Sequence, residues 1–163
     1  KRQTIIRPAT VCGLSASMRL DVTVNILTFH ALMMKKITVL GGKQVRPNIH
    51  IKDMIRLYEH VINKKITGTF NAGYENQTVL ELAEIVKSEI GKDVKLKILP
   101  TDDNRSYHIS SKKIKDIIGF ETSFTIKDAV VDLKSAFQES RLTDTLSNEM
   151  YYNIKRMQSL GIQ

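Results

Sequence analysis

The chain alternates short apolar runs with amphipathic segments of helical period. Its first run, residues 4–11, is nearly continuous in apolar character and stops at Gly13. Such a run is typical of a strand in a parallel sheet that is covered on both faces. We therefore predict a buried strand at the start of the chain, followed by a loop over residues 13–20.

Two helices are predicted by the residues at which they begin. Thr78 and Glu81, and again Thr125 and Asp128, have the spacing of a capping box, in which each side chain binds the backbone N–H of the other residue. The apolar positions that follow recur with helical period, and Gly91 ends the first of these helices.

Three further helices follow from caps and apolar period. Asp21 can cap one of them, and Ser110 or Ser111 can cap a short one that Gly119 closes. The third, over residues 54–62, places its apolar residues on one helical face, namely Met54, Ile55, Tyr58, Val61 and Ile62.

Short strands fill the intervals between the helices, at residues 37–40, 48–51, 69–72 and 94–99. The last alternates apolar residues with lysine, as a strand with one buried face does. The resulting order, β-α-β-β-α-β-α-β-α-α, indicates an α/β fold. From residue 140 the chain is polar, and we expect it to be extended apart from a last helical turn.

Composition narrows the class of protein. Hydrophobic residues make up 42% of the chain, which is ordinary for a globular protein, and no apolar run approaches the roughly 20 residues that a membrane span needs. Cys12 is the only cysteine, so an intrachain disulfide is excluded and a reducing compartment is favoured. We therefore expect a cytoplasmic protein without a membrane partner.

The net charge of +8 favours an anionic partner, either a nucleic acid or a small molecule. The lysines occur in scattered pairs and are not interleaved with aromatic residues, unlike those of a platform that binds single strands. The pattern therefore favours a small anion over a nucleic acid, which stays the lesser alternative.

Common catalytic and metal-binding patterns are missing from the sequence. There is no Gly-x-Gly-x-x-Gly loop, and the four histidines do not have metal-ligand spacing. Tyr151 and Lys155 match Tyr-x-x-x-Lys, a spacing that can lower the pKa of a phenol. Because this pair lies in the polar tail, we interpret the match as chance, and we predict no catalytic residue and no metal site.

Two arginines remain as candidates. Arg46 follows the Gly41-Gly42 turn, and Arg105 lies in a polar segment between a strand and a capped helix. Guanidinium groups from two such segments at one edge of a sheet could bind a diphosphate. The alternatives are that Arg46 is a solvated turn residue and that Arg105 pairs with Asp102 or Asp103.

Several motifs together resemble the C-terminal half of the extended short-chain dehydrogenase/reductases, the NAD-dependent nucleotide-sugar epimerases and dehydratases. They occur in the order of that family, over about residues 4–137. The motifs are 7–13 (RPATVCG), 46–53 (RPNIHIKD), 70–73 (FNAG), 105–107 (RSY), 111–114 (SKKI) and 118–120 (IGF).

The resemblance implies a fold and a set of binding residues. The fold would be the late sheet strand of a Rossmann-type domain followed by a small mixed α/β substrate-binding domain. Residues 1–20 would end the Rossmann-type domain, 21–139 would form the substrate-binding domain, and 140–163 would be a tail. The implied contacts are Pro8 and Ala9 with the cofactor, Thr10 and Asn25 with the nucleotide sugar, and Arg46 and Arg105 with its diphosphate.

The sequence also departs from the family. In the family, the cofactor-binding glycine loop and the catalytic tyrosine and lysine lie upstream of the motif that comes first here, so we expect this chain to lack them. Cys12 stands where a tyrosine is usual. The resemblance therefore implies NAD(P) in a parent protein and little or no NAD bound by this chain alone. Its implied partners are a nucleoside-diphosphate sugar and an N-terminal Rossmann half or another copy, in a homo-oligomer. A reductase with a non-nucleotide substrate is the main alternative.

Overall fold

The structure, a computed structural model, describes residues 3–103 and 105–162. Asn104, inside the predicted polar segment around Arg105, lies outside the described residues. The strands are β1 (Thr4–Pro8), β2 (Thr10–Cys12), β3 (Lys36–Leu40), β4 (Val45–His50), β5 (Gly68–Ala72), β6 (Glu75–Thr78) and β7 (Lys95–Leu99). The helices are α1 (Thr23–Met34), α2 (Ile51–Asn63), α3 (Val79–Ile90), α4 (Lys112–Ile118), α5 (Ile126–Gln138) and α6 (Asn153–Ser159), with a 3-10 turn at Glu149–Tyr151.

The strands pair in three small sheets. β1 is parallel to β5, β3 is parallel to β7, and β4 lies between β2, which is parallel to it, and β6, which is antiparallel. Helices separate the parallel strands, as a parallel connection requires. The predicted α/β class is therefore confirmed.

The prediction of one buried strand over residues 4–11 is wrong. The run is interrupted at Ala9 and forms two strands. β1 pairs with β5, and β2 pairs with β4. Within the described residues no strand pairs with the other edge of β1, and Ile5 is 44% exposed. A run of apolar residues forms a buried strand only if the strand has a neighbour on each side. Among the described strands, β1 has a neighbour on one side only.

Strand β4 is the central element, and the sequence patterns missed its partner β6. β6 pairs with residues 45–48 of β4, and β2 pairs with residues 48–50. Pro47, which lacks a backbone N–H, lies in the half of β4 that pairs on one side only. The proline is therefore compatible with a strand that is otherwise central.

Both predicted capping boxes are confirmed. Thr78 and Glu81 begin α3 in this way, and Thr125 and Asp128 begin α5. The predicted cap at Asp21 is wrong, because α1 begins at Thr23 without a side-chain cap. Asp21 instead pairs with Arg19 and accepts a hydrogen bond from the backbone N–H of Asn153 in the tail.

The predicted apolar face of α2 is only partly buried. Met54, Leu57 and Val61 are buried, whereas Ile55 and Ile62 are 50% and 71% exposed. Successive helical residues are about 100° apart around the helix axis. Ile55 and Ile62, each one position after a buried residue, therefore face away from the core. The alternation predicted for β7 also fails in part, because Ile98 is 52% exposed.

Two apolar clusters hold the elements together. One joins α1, α3 and α5 with β3, and the other joins α2 and α4 with β5. The tail is not extended: Leu142, Tyr151 and Tyr152 pack on a third cluster. Among the described helices, none is long and apolar enough to cross a membrane.

Asp53 joins α2 to the segment before α5. Its side chain is fully buried and accepts hydrogen bonds from the backbone N–H groups of Ser123 (3.0 Å) and Phe124 (2.9 Å). The guanidinium of Arg56 also donates to it. The charge is thus compensated by one cation and by two backbone donors, which is what a buried carboxylate requires.

Replacing Asp53 by alanine should lower the free energy of unfolding by about 3 kcal/mol, because two buried backbone N–H groups lose their acceptor. Urea unfolding would measure this. Asp116→Ala, which breaks an exposed pair with Lys112 one helical turn away, is the control and should cost at most about 0.5 kcal/mol. Equal losses in the two variants would contradict the role of Asp53.

Candidate functional site

The two candidate arginines meet at one place on the surface. Arg46 is the second residue of β4, and its side chain is 16% exposed. Arg105 lies between β7 and α4, and its side chain is 85% exposed. One guanidinium N–H of Arg46 donates to the backbone carbonyl of Arg105, which brings the strand and the distant segment into direct contact.

The carboxylate of Asp103 lies between the two guanidinium groups. Arg105 binds it with two donors, Nε to Oδ1 and Nη2 to Oδ2, both at 2.8 Å. Nη2 of Arg46 donates to Oδ2 at 3.1 Å. The interpretation of Arg105 as the partner of Asp103 is therefore correct in this structure, and Arg46 shares the same carboxylate.

These contacts shift the titration of Asp103. The Arg105 guanidinium, followed by the Arg105 backbone N–H and the charge of Arg46, holds the pKa of Asp103 well below its ordinary value. The group is consequently ionised at neutral pH. In this structure the two guanidinium groups, Arg105 with two donors and Arg46 with one, bind an anion that the chain itself supplies.

The segment that carries Asp103 is fastened to the turn before β4. Gln44 donates from Nε2 to the carbonyls of Leu40 (3.2 Å) and Asp103 (3.0 Å), and its Oε1 accepts from Gly42 N–H at 2.8 Å. Ser106 Oγ accepts from the backbone N–H of Val45 at 3.0 Å. These bonds fix the distance between the two arginines.

Gly41 makes this close approach possible. Its φ is +75°, and a Cβ there would lie 2.5 Å from Cγ2 of Thr101 and 2.6 Å from Nε2 of Gln44. A larger residue would collide with these two side chains. The glycine therefore supplies the positive φ of the turn and leaves room for the side chains of Thr101 and Gln44.

A cleft of about 330 Å³ opens beside the arginine pair. It lies between the start of α1 and the ends of β3 and β7. Its lining is mixed in character and includes apolar, hydroxyl and charged side chains, among them Thr23, Ile26, Thr38, Leu40, Asp21, Asp103 and the two arginines. A site of this kind can hold an elongated ligand that is apolar or weakly polar at one end and anionic at the other.

The other predicted binding residues do not line this cleft. Pro8 is exposed at the end of β1, whereas Ala9 is buried and donates its N–H to the carbonyl of Ala72. Thr10 is half-buried on β2. Asn25 is 3% exposed, and its amide links the ends of the loop that precedes α1 through Gly13 N–H (3.0 Å) and the carbonyl of Arg19 (2.8 Å).

Cys12, which ends β2, is a buried core residue. It is 1% exposed, and burial raises the pKa of its thiol to about 12. A buried and protonated thiol is a poor nucleophile. Cys12 accordingly serves as a small core residue in the cluster of α1, α3 and α5.

His50 and Tyr151 are not part of the cleft either. His50 is buried, caps α2 by accepting from Lys52 N–H, and stacks on Phe124. Tyr151 belongs to the 3-10 turn and Lys155 to α6, where its ammonium lies over the ring of Tyr152. Among the described residues, no cluster of His, Cys, Asp or Glu could hold a metal ion.

Sequence patterns missed Gln44 and Ser106 as organisers of the site. Both are ordinary polar residues in short loops, and their partners are 59 and 61 residues away in sequence. The sequence predicted Asp103 only as one of two possible ion-pair partners of Arg105. The one available signal was the Gly41-Gly42 turn, which ends two residues before Gln44.

Comparisons with known proteins place this geometry in context. No protein-family model matches the chain. UDP-glucuronic acid decarboxylase 6 of Arabidopsis thaliana is 28% identical over 100 residues, which are 60% of this chain and 29% of that protein. The alignment therefore spans less than a third of the relative.

Solved structures match the fold more extensively. UDP-glucose 4-epimerase of Thermotoga maritima, solved with UDP-glucose, has a TM-score of 0.72 at 21% identity, over 86% of this chain and 47% of that one. The dTDP-glucose 4,6-dehydratase of Bacillus anthracis, solved with NAD, has a TM-score of 0.69 at 21% identity, over 85% and 45%.

The chain shares the fold of these two solved structures over 85–86% of its length. The resemblance that the sequence motifs indicated is thereby confirmed. The matched relatives and structures are nucleotide-sugar epimerases, dehydratases and decarboxylases. The chain spans about half the length of the structures it matches.

Proposed function

We propose that the chain is the part of an NAD(P)-dependent sugar epimerase, dehydratase or decarboxylase that binds the nucleoside-diphosphate sugar. The observation that carries the proposal is the convergence of Arg46 and Arg105 on a single carboxylate beside a cleft. Two guanidinium groups that share one anion can bind the two phosphate groups of a diphosphate, and the net charge of +8 attracts such a ligand.

We propose the following roles for the individual residues. Arg46 anchors the diphosphate, because its guanidinium is held by backbone carbonyls and is largely shielded from water. Arg105 is the exposed second fork that closes on the ligand. Thr10 and Asn25 contribute to the sugar pocket, Asn25 by holding the loop before α1.

The cofactor would be held mainly by residues outside this chain. The nicotinamide supplies hydride transfer in this type of enzyme. Of the two residues proposed to approach it, Pro8 offers an exposed ring and Ala9 offers only backbone, because its side chain is buried. The sequence contains no glycine-rich loop that could bind the cofactor phosphates.

We also propose the division of the chain given by the family. Residues 1–20 would complete the Rossmann-type domain, 21–139 would bind the substrate, and 140–163 would be a tail that packs back. β1 and β5 form one sheet across the first boundary, so the two parts are joined by backbone hydrogen bonds. The open edge of β1 would accept a further strand, from a Rossmann half or from another copy.

Arg46→Ala should weaken the binding of UDP by about 1.5–3 kcal/mol, the range for hydrogen bonds to charged groups. Arg105→Ala should weaken it less, because this side chain is mostly exposed to water. Calorimetry would measure both. Arg141→Ala, which removes an exposed arginine paired with Glu139, is the control and should bind UDP like the unchanged chain.

A panel of nucleoside diphosphates in the same experiment would separate the main alternatives. If all nucleoside diphosphates bind with the same low affinity, and Arg46→Ala does not change it, an enzyme with a non-nucleotide substrate is favoured. A clear preference within the panel, lost in Arg46→Ala, would identify the nucleotide.

The isolated chain should bind NAD weakly or not at all and should show no hydride transfer, because the proposed cofactor contacts in it are only Pro8 and Ala9. Calorimetry with NAD would test the first point, and absorbance of the reduced nicotinamide the second. Tight binding of one NAD per chain would refute the proposed division of labour.

The open edge of β1 should make the isolated chain self-associate. Light scattering over a range of concentrations should show a mass that increases, and Ile5→Lys should reduce the increase, because a charge at an open edge opposes strand pairing. Ile117→Lys, which replaces an exposed isoleucine of α4, is the matched control. A monomer at every concentration would contradict the proposal.

A further inference from the structure

The carboxylate of Asp103 lies where the proposed function would place an anionic ligand. We propose that Asp103 is a built-in competitor for the anion site: in the free chain it holds the two arginines, and an entering diphosphate must displace its side chain. This inference rests on the proposed function of the site and adds to it an autoinhibitory contact.

The geometry of the contact is that of a bound ligand. Three guanidinium N–H donors, two from Arg105 and one from Arg46, point at the two oxygens of one carboxylate at 2.8–3.1 Å. The backbone N–H of Arg105 adds a fourth donor to Oδ1 at 3.1 Å. Guanidinium groups bind phosphate oxygens with the same planar forks, so both anions compete for the same donors.

Displacement of the side chain does not require the segment to open. The backbone of Asp103 is held independently, by its carbonyl bond to Gln44 (3.0 Å) and by its N–H bond to Oγ1 of Thr101 (3.2 Å). Ser106 is bonded to Val45 on the other side of Arg105. The side chain of Asp103 is 32% exposed, so it can rotate into water while these bonds persist.

A competitor of this kind keeps the site ordered when it is empty. Without Asp103 the two guanidinium groups would repel each other and would lose their shared partner. The cost is a lower affinity for every anion, because each ligand must first break the contacts of Asp103. Asp103 thus lowers the affinity for an anionic ligand and keeps the two arginines in a preformed arrangement.

The decisive experiment is calorimetry of Asp103→Asn with inorganic pyrophosphate and with UDP. Removal of the competing charge should tighten the binding of both ligands by about three- to fivefold, the upper range for an exposed ion pair. Asp102→Asn makes the same change of net charge at an exposed neighbouring position and should change the affinity much less. Unchanged or weaker binding by Asp103→Asn would overturn the proposal and would make Asp103 an organiser only.

Hydrogen exchange of the unchanged chain gives a second readout that does not depend on a variant. Saturating pyrophosphate should accelerate exchange of the Arg105 backbone N–H, which loses Asp103 as its acceptor. The Val45 backbone N–H, bonded to Ser106, should exchange at its original rate and serves as the internal control. Greater protection of Arg105 with the ligand bound would contradict displacement.

The two ligands separate this inference from the proposed function. If Asp103→Asn binds pyrophosphate more tightly but no form binds UDP, the competitor is supported and the nucleotide is rejected. If UDP binds but Asp103→Asn does not tighten it, the proposed function stands and the competitor is rejected. If neither the unchanged chain nor Asp103→Asn binds pyrophosphate, the anion site itself is rejected.

Discussion

The backbone hydrogen bonding of strand β4 is the constraint on which the rest of the structure depends. The backbone groups of a buried strand need hydrogen-bond partners, and β4 finds them in β2 along residues 48–50 and in β6 along residues 45–48. This arrangement draws the beginning of the chain and the segment before α3 to the same strand. It also places the two ends of β4 in different roles, with Arg46 near the cleft and His50 at the start of α2.

Strand β4 positions one of the two arginines of the site. Arg46 is positioned by a ladder of backbone bonds, whereas Arg105 belongs to a segment without regular structure. Gln44 and Ser106 compensate for this difference, because they fasten the segment to the turn before β4. The close approach at Gly41 completes the fastening. An exposed arginine is thus held beside a largely buried one by a few polar contacts, and both bind the carboxylate of Asp103.

Local patterns predicted much of the fold because the interactions concerned are local. The capping boxes at Thr78 and Thr125 lie within four residues, and the structure has both. The prediction failed where a distant partner decides. The cap at Asp21 was replaced by a bond to Asn153, and β6 was missed because its four polar residues form a strand only against β4. Ile55 and Ile62 of α2 were predicted on the apolar face and lie exposed, because only the neighbouring stripe meets the core.

The sequence by itself determined the α/β class, the two capped helices and the choice of Arg46 and Arg105, because residue type and spacing carry that information. Through the motifs it also indicated the resemblance to nucleotide-sugar epimerases and dehydratases, whose fold the chain shares. Only the tertiary structure decided that the two arginines meet, that they meet on Asp103, and that Gln44 holds the segment in place. Those contacts join residues about 57–59 positions apart, and no local spacing can encode which of several carboxylates a folded chain brings between two guanidinium groups.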